Sequence, residues 1–203
     1  MREPVEHLCR KLGYEFSDKS LIDKALTHRS AGGTNNERME FLGDSILGFV
    51  IANELFTNLA HADEGDMSRL RSSLVRGVTL AGLAREMDLG NYLLLGPGEL
   101  RSGGQSRDSI LADALEAIFA AVYLDGGYQV ARRVILDLYR ERLDNITTDK
   151  QLKDPKTRLQ EYLQARHHKL PIYSVIEVTG EQHDQSFTVK CAAEDLEINT
   201  IAT

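Results

Sequence analysis

Residues 37–59, "ERMEFLGDSILGFVIANELFTNL", restrict the fold of this chain more than any other stretch. Their apolar residues recur at helical spacing with no proline among them, which predicts an interior helix from about Glu37 to Leu59. Yet Glu37, Glu40 and Asp44 are set into that helix, with Gly43 beside the last. At about 100° per residue the three carboxylates share one arc of roughly 60°. Further along, the same arc holds Ile51 and Leu55. An acidic stripe that runs on into an apolar one is not simply a solvated face. Gly43 and Gly48 each cost about 1 kcal/mol of helix propensity and invite another helix to approach closely.

A second acidic pair lies in "SILADALEAIFAAVYL", where Asp113 and Glu116 are one turn apart and share their side with Ala117, Ala120 and Leu124. The alanines again favour close contact. If the two helices face each other, four or five carboxylates converge. Like charges packed that closely repel, and burial raises their pKa values. Protonation, basic partners or divalent cations would each compensate. Donors that are oxygen only, without Cys or His alongside, favour Mg2+, Mn2+ or Ca2+ over zinc. A di-iron bundle would use Glu-x-x-His pairs, and none of the six histidines has a Glu three residues before it. Spacing alone leaves plainer readings open. Glu37 could close a capping box with Thr34, and the other acids could lie on a surface or pair with arginines.

The remaining sequence up to residue 146 also reads as helices. "PVEHLCRKLG" starts near Pro4 and stops at Gly13. "SDKSLIDKALTHRS" opens on a Ser/Asp cap, with His28 and Arg29 near its C-terminal dipole. Asp66 is the expected cap for "MSRLRSSLVRGVTLAGLAREMD", read as one segment. The glycine-punctuated "GNYLLLGPGELRSGGQS" is expected to be mostly irregular. Helices from about Ser106 to Leu124 and from about Tyr128 to Ile146 are divided by "DGG". The polar "TTDKQLKDP" reads as a linker. After it come one helix, Asp154–Arg166, and three strand-like runs, of which "SFTVKCA" and "LEINT" alternate clearly.

The cysteines, Cys9 and Cys191, lie far apart and form no metal or redox spacing, which suits a reducing compartment. The N-terminus is charged within three residues and lacks the apolar run of a signal peptide. No apolar stretch reaches the roughly 18–20 residues that span a bilayer. A cytoplasmic protein without membrane partners is expected. The formal net charge of −7 taken alone argues mildly against nucleic acid.

Several segments together resemble the bacterial ribonuclease III family. "NERMEFLGDSIL" resembles its signature segment. "ALTHRS", "GDMSRLRSSLV" and "LADALEAIFAAVYLDGG" resemble further family segments in the expected order. "DPKTRLQEYLQ" through "LPIYSVIEVTGEQHDQSFTV" resembles the double-stranded-RNA-binding module that usually follows. The expected fold class is therefore mainly α. An all-helical endonuclease domain (1–146) and a linker (147–153) precede a small α+β RNA-binding module (154–203) of one helix and antiparallel strands.

The resemblance implies a homodimeric, Mg2+-dependent endonuclease for double-stranded RNA, with Mn2+ able to substitute, acting on ribosomal and other structured precursors. It implies 5′-phosphate and 3′-hydroxyl ends with a short 3′ overhang. Glu40, Asp44, Asp113 and Glu116 match the family's catalytic and metal-holding acids, and Glu37 an accessory acid. Phe41 matches an aromatic that docks into a socket on the partner subunit. Gln160, Gln164 and His183 match the module's contacts to RNA, while Arg101 and Arg107 are candidates for phosphate contact.

The sequence departs from the family in places. Met39 stands where Leu is more usual, and Ser106 where a basic residue is common. From Asp154 to Thr203 eight acids face five bases, a net of −3, so the module's usual basic patch is missing. The chain ends inside or just after the third strand, and the module is read as C-terminally shortened. The alternative function is a non-catalytic double-stranded-RNA-binding or scaffold protein of the same fold. Such a relative should have lost one or more of the acids, and all are present here.

Overall fold

The computed structural model describes residues 3–60, 62–146, 155–181, 184–193 and 198–202. The chain divides into two compact units, residues 1–148 and 149–203. The expected linker at 147–153 lies outside the described residues.

In the first unit, α1 (Val5–Leu12) ends where Gly13 takes the left-handed conformation, φ 63°, that glycine adopts without steric cost. α2 (Lys19–Ala25) is capped by Asp18, whose side chain accepts the Ser20 N–H at 2.9 Å. It stops at Ala25 rather than running on to His28 and Arg29 as expected. The backbone there switches partners: Leu94 N–H donates to Leu26 C=O at 2.9 Å and His28 N–H to Leu94 C=O at 3.0 Å. Arg29 opens a short 3-10 turn, 29–31, instead of closing a helix.

α3 (Glu37–Asn58) falls within a residue of its expected span. The Thr34–Glu37 capping box is not what starts it. Asn35 accepts the Glu37 N–H at 3.1 Å and donates to the Glu37 carboxylate at 3.2 Å. Asn36 is buried and donates its amide to Ala25 C=O at 3.2 Å, which ties the start of α3 to the end of α2.

α4 (Glu64–Val75) is capped by Asp63, not by Asp66. Asp66 lies at the third helical position, buried and ion-paired with Arg69. The expected single segment breaks at Arg76, whose extended backbone (φ −66°, ψ 149°) separates α4 from α5 (Gly77–Glu86). The break lets α4 pack on α3 while α5 packs on α7. The glycine-rich stretch holds more structure than expected: a 3-10 turn at 89–92, α6 (Pro97–Arg101) and a 3-10 turn at 104–106. A Cβ on Gly96 would lie 2.1 Å from the Ser30 carbonyl oxygen, so this stretch is pressed against the 29–31 turn.

α7 (Asp108–Asp144) bends at Gly127 (φ 79°, ψ 178°), the break expected from "DGG". Asp125 anchors the bend: its carboxylate accepts Tyr14 O–H at 2.7 Å, Ser17 N–H at 2.8 Å and Asp18 N–H at 3.0 Å. These bonds, Tyr14's first, hold Asp125 below the usual carboxylate range. The first half of α7 is the centre of the unit. Leu115, Ile118, Phe119 and Val122 are wholly buried, and burying each large apolar side chain is worth about 1.5–3 kcal/mol.

α3 crosses α7 at Gly43, where a Cβ would lie 1.8 Å from the Glu116 carbonyl oxygen. Only glycine fits this crossing. Gly48, expected to serve the same purpose, has open space at its Cβ position.

In the second unit, α8 (Pro155–Ala165) begins with proline at its first position, where the missing N–H has no partner to lose. β1 (Ile172–Glu181), β2 (Asp184–Ala193) and β3 (Ile198–Ala202) form an antiparallel sheet in the order β1-β2-β3. The alternation of Phe187, Val189 and Cys191 is realised as pairs with Val178, Val175 and Tyr173, with a bulge between Val175 and Glu177. The third strand is described from Ile198, within the expected "LEINT", and residues 194–197 lie outside the described ones.

Gly43→Ala is expected to cost about 3 kcal/mol or more, because backbone stands in the way. Gly48→Ala should change stability by less than about 1 kcal/mol. Urea unfolding of the two variants checks this, and equal small effects would contradict the close crossing.

Candidate active site

The Gly43–Glu116 crossing brings together residues far apart in sequence. Glu40 lies one turn before Gly43 on α3, and Asp113 one turn before Glu116 on α7. Glu40, Asp113 and Glu116 each offer a carboxylate oxygen within 4.8 Å of the others'. All three are half-buried.

The electrostatics follow from this convergence. Burial, then the charges of Asp44, Asp113 and Glu40, push Glu116 up to about 8 from the usual 4.5. Glu40 is raised by burial first and then by Asp113, with Arg29 pulling the other way. Asp113 is also raised by burial, which outweighs the downward pull of His28 and Arg29. The cluster is short of positive charge.

Asp44 is exposed and stands outside the trio, though its charge weighs on Glu116 ahead of Asp113 and Glu40. Glu37 is exposed as well, engaged with Asn35 and, at 3.5 Å, with Arg29. The structure thus brings together three of the five acids and sets two beside them.

A polar cavity of about 330 Å3 adjoins the trio, with Glu40 and Asp113 in its wall together with His28, Arg29, Glu37, Glu99 and Arg107. Arg107 reaches it and pairs with Glu99 at 2.6 Å. Arg101 does not line it and donates to the Pro97 carbonyl on its own helix. Sequence reading missed His28, Arg29 and Glu99 as members. They arrive through the Leu26–Leu94 backbone pairing and the α6 turn, which no periodicity announces.

The other candidate residues lie apart from the cavity. Phe41 is 77% exposed and shares one side of α3 with Phe49 (60%) and Phe56 (73%). A groove of about 350 Å3 between α3 and α4 is lined by Phe49, Phe56 and Met67. Gln160 and Gln164 lie one turn apart on α8, the first half-buried and the second exposed. His183 lies outside the described residues.

Known proteins share this arrangement of sequence and fold. Residues 18–143 match the Ribonuclease-III-like family and residues 155–201 the Double-stranded RNA binding motif. The Ribonuclease 3 of Vibrio atlanticus (strain LGP32) is 60% identical over 191 residues, covering 94% of this chain and 85% of that protein. That of Nitrosococcus oceani is 58% identical over 193 residues, with 94% and 83% covered. Among solved structures, the nuclease domain of Ribonuclease III from Campylobacter jejuni matches at TM-score 0.67 and 42% identity. The match covers 68% of this chain and 97% of that one, and the structure was described for flexibility in a region involved in dimer formation. Dicer from Pichia stipitis, at 23% identity and TM-score 0.52, shares the fold. The chain belongs to the ribonuclease III family. It is an endoribonuclease that carries a double-stranded-RNA-binding motif.

The raised pKa of Glu116 makes stability pH-dependent. A carboxyl raised in the folded state keeps a proton that the unfolded chain has released. In metal-free buffer its contribution is therefore fully present below the usual 4.5 and lost as pH rises through about 8. The melting temperature should fall from about pH 5 to about pH 9, and saturating Mg2+ or Glu116→Gln should flatten the decline. A melting temperature that is level or rising over that window without metal would show that the acids do not burden one another.

Proposed function

We propose that the chain is a Mg2+-dependent endonuclease for double-stranded RNA, leaving 5′-phosphate and 3′-hydroxyl ends with a short 3′ overhang. The observation that carries this is the convergence of Glu40, Asp113 and Glu116 oxygens within 4.8 Å in a half-buried setting. An all-oxygen donor set of this kind suits a hard divalent cation, Mg2+ first and Mn2+ as a substitute. Asp44, beside the trio, would join through the ion's outer ligands or directly, and Glu37 would tune Arg29. When bound, the ion supplies Lewis-acid activation of a water and stabilises the leaving oxygen.

The side chains have separate tasks. Glu40, Asp113 and Glu116 would hold the ion, with Glu40 and Asp113 in the wall of the cavity. Arg107 offers a planar donor fork to the phosphate backbone beside it. Half-burial of the acids thins out bulk water, so charges there act at lower dielectric than on an open surface.

Binding of the duplex is assigned to both units. A-form RNA is read by shape, through 2′-hydroxyls and phosphates of its wide minor groove. Gln160 and Gln164 have the length and spacing to reach such groups. The exposed Phe41, Phe49 and Phe56 side of α3 supports a homodimer, in which each Phe41 enters the partner, and the groove beside Phe49 is the candidate socket. Two sites in such a dimer give one cut per strand. Among the described residues no helix is long and apolar enough to cross a membrane. Both cysteines are free, which fits the cytoplasm, and ribosomal and other structured RNA precursors are the expected substrates there.

Glu116→Ala should slow cleavage of a long RNA duplex in Mg2+ by about a thousandfold or more, the scale of losing a metal's charge stabilisation, while RNA binding changes little. A gel cleavage assay with a parallel binding measurement checks it, and near wild-type cutting would refute the assignment. A chain that binds duplex RNA but never cuts it in Mg2+ would be the non-catalytic alternative. Phe41→Ala should weaken dimerisation by about 30-fold or more, as interface anchors do. Sedimentation over a concentration series reads this, and an unchanged dimer would remove Phe41 from the interface.

A further inference from the structure

The cavity beside the trio has a side that the metal does not need. Glu40 and Asp113 form the edge facing the ion. The rest is contributed by the basic side chains of His28, Arg29 and Arg107, by Asn36, Glu37 and Glu99, and by the first turn of α7 at Ser109 and Ile110. The two arginines are already engaged, Arg107 with Glu99 at 2.6 Å and Arg29 with Glu37 at 3.5 Å. His28 is different: its ring is hydrogen-bonded to Ser30 of its own loop, and its pull on Asp113 is coulombic.

A chain of hydrogen bonds determines the proton on that ring. Gly96 N–H donates to Ser30 Oγ at 2.9 Å, so the Ser30 hydroxyl is an acceptor there and has its own proton to give. Ser30 Oγ lies 2.8 Å from His28 Nδ1, and the Ser30 backbone N–H donates to the same nitrogen at 3.2 Å. In the neutral ring Nδ1 thus accepts, and the proton belongs on Nε2; Nε2 carries an N–H in the charged ring as well. Among the described residues no bond engages Nε2. The His28 backbone is fixed too, its N–H donating to Leu94 C=O. A rigid ring with a committed donor in a cavity next to a metal-holding trio is a built contact for an anion.

We propose that His28 is a substrate contact: its Nε2–H donates to a non-bridging oxygen of the RNA phosphate adjacent to the scissile one, seated in this cavity. This rests on the reading that Glu40, Asp113 and Glu116 hold the ion at the scissile phosphate. The ligand is the backbone of the duplex itself, since Glu40 and Asp113 share this cavity with His28 and a strand cut at the metal carries a phosphate on either side of the cut. Arg29, loosely paired, stands beside the same phosphate. The contact sets where the backbone lies relative to the metal, and no bond is made or broken at His28.

A double-mutant cycle between protein and RNA tests this on the full chain. His28→Asn keeps an acceptor where Nδ1 was, for Ser30, and draws the donor back from the position of Nε2, because the asparagine amide is too short to reach it. The RNA partners are duplexes with a single uncharged methylphosphonate, placed in turn at each phosphate flanking the scissile one. In Mg2+ at sub-saturating RNA, His28→Asn should cleave native duplex about tenfold more slowly, the size of one hydrogen bond to a charged group. With the methylphosphonate at one flanking position, wild type should slow by a similar factor and the variant should lose nothing further. Ser30→Ala, at an exposed position, should show a smaller loss that vanishes at the same phosphate, and it carries the test should His28→Asn fail to fold. A loss of equal size on every duplex, or no loss at all, overturns the contact while leaving the metal reading intact. Failure of wild type to cut native duplex in Mg2+ overturns the metal reading and this contact with it.

Discussion

The crossing of α3 over α7 at Gly43 is the contact on which the site depends. With no side chain at Gly43, the α3 backbone comes against the Glu116 carbonyl, at a place where a Cβ would lie 1.8 Å away. That approach brings Glu40 within reach of Asp113 and Glu116. A larger residue would push the helices apart and separate the oxygens by more than one ion can bridge. The buried side chains along the first half of α7 hold the crossing from behind, and the Asp125 anchor at the bend keeps that half in place. The packing of the core and the geometry of the acids are therefore one problem with one solution.

The same approach creates the site's electrostatic debt. Three half-buried carboxylates cannot all be charged at low cost, and Glu116 is pushed to about 8 by burial and its neighbours. Arg29 and His28 relieve Glu40 and Asp113 without cancelling the effect of burial. An arrangement that is electrostatically poor when empty favours a cation when one is available. The proposed ion would also reconcile part of the net charge of −7 with a polyanionic substrate, because an ion rather than a lysine would meet the phosphate.

Much of this was legible in the residues. The helical spacing of Glu37, Glu40 and Asp44 predicted a carboxylate stripe, and α3 formed within a residue of its expected span. The pair Asp113 and Glu116, the break at "DGG" and the alternation of Phe187, Val189 and Cys191 also followed from short-range periodicity. The misreadings fell where contacts that local periodicity does not encode decided the outcome. α2 stopped early because Leu26 and His28 pair with Leu94, and Asp63 rather than Asp66 capped α4 because Asp66 is buried against Arg69. Gly48 looked equivalent to Gly43 in sequence and faces open space.

What the sequence determined by itself is the inventory of the site: the two long helices that carry the acids, and that five carboxylates are available to a cation. Helix periodicity is a property of neighbouring residues, so it needs no tertiary information. Which acids meet was decided only by the fold, and it selected Glu40, Asp113 and Glu116 while leaving Asp44 and Glu37 at the margin. The fold alone likewise gathered His28, Arg29, Glu99 and Arg107 around one cavity. Those placements follow from where two helix axes cross and how a loop is pinned between them. Such long-range constraints leave no period in the chain.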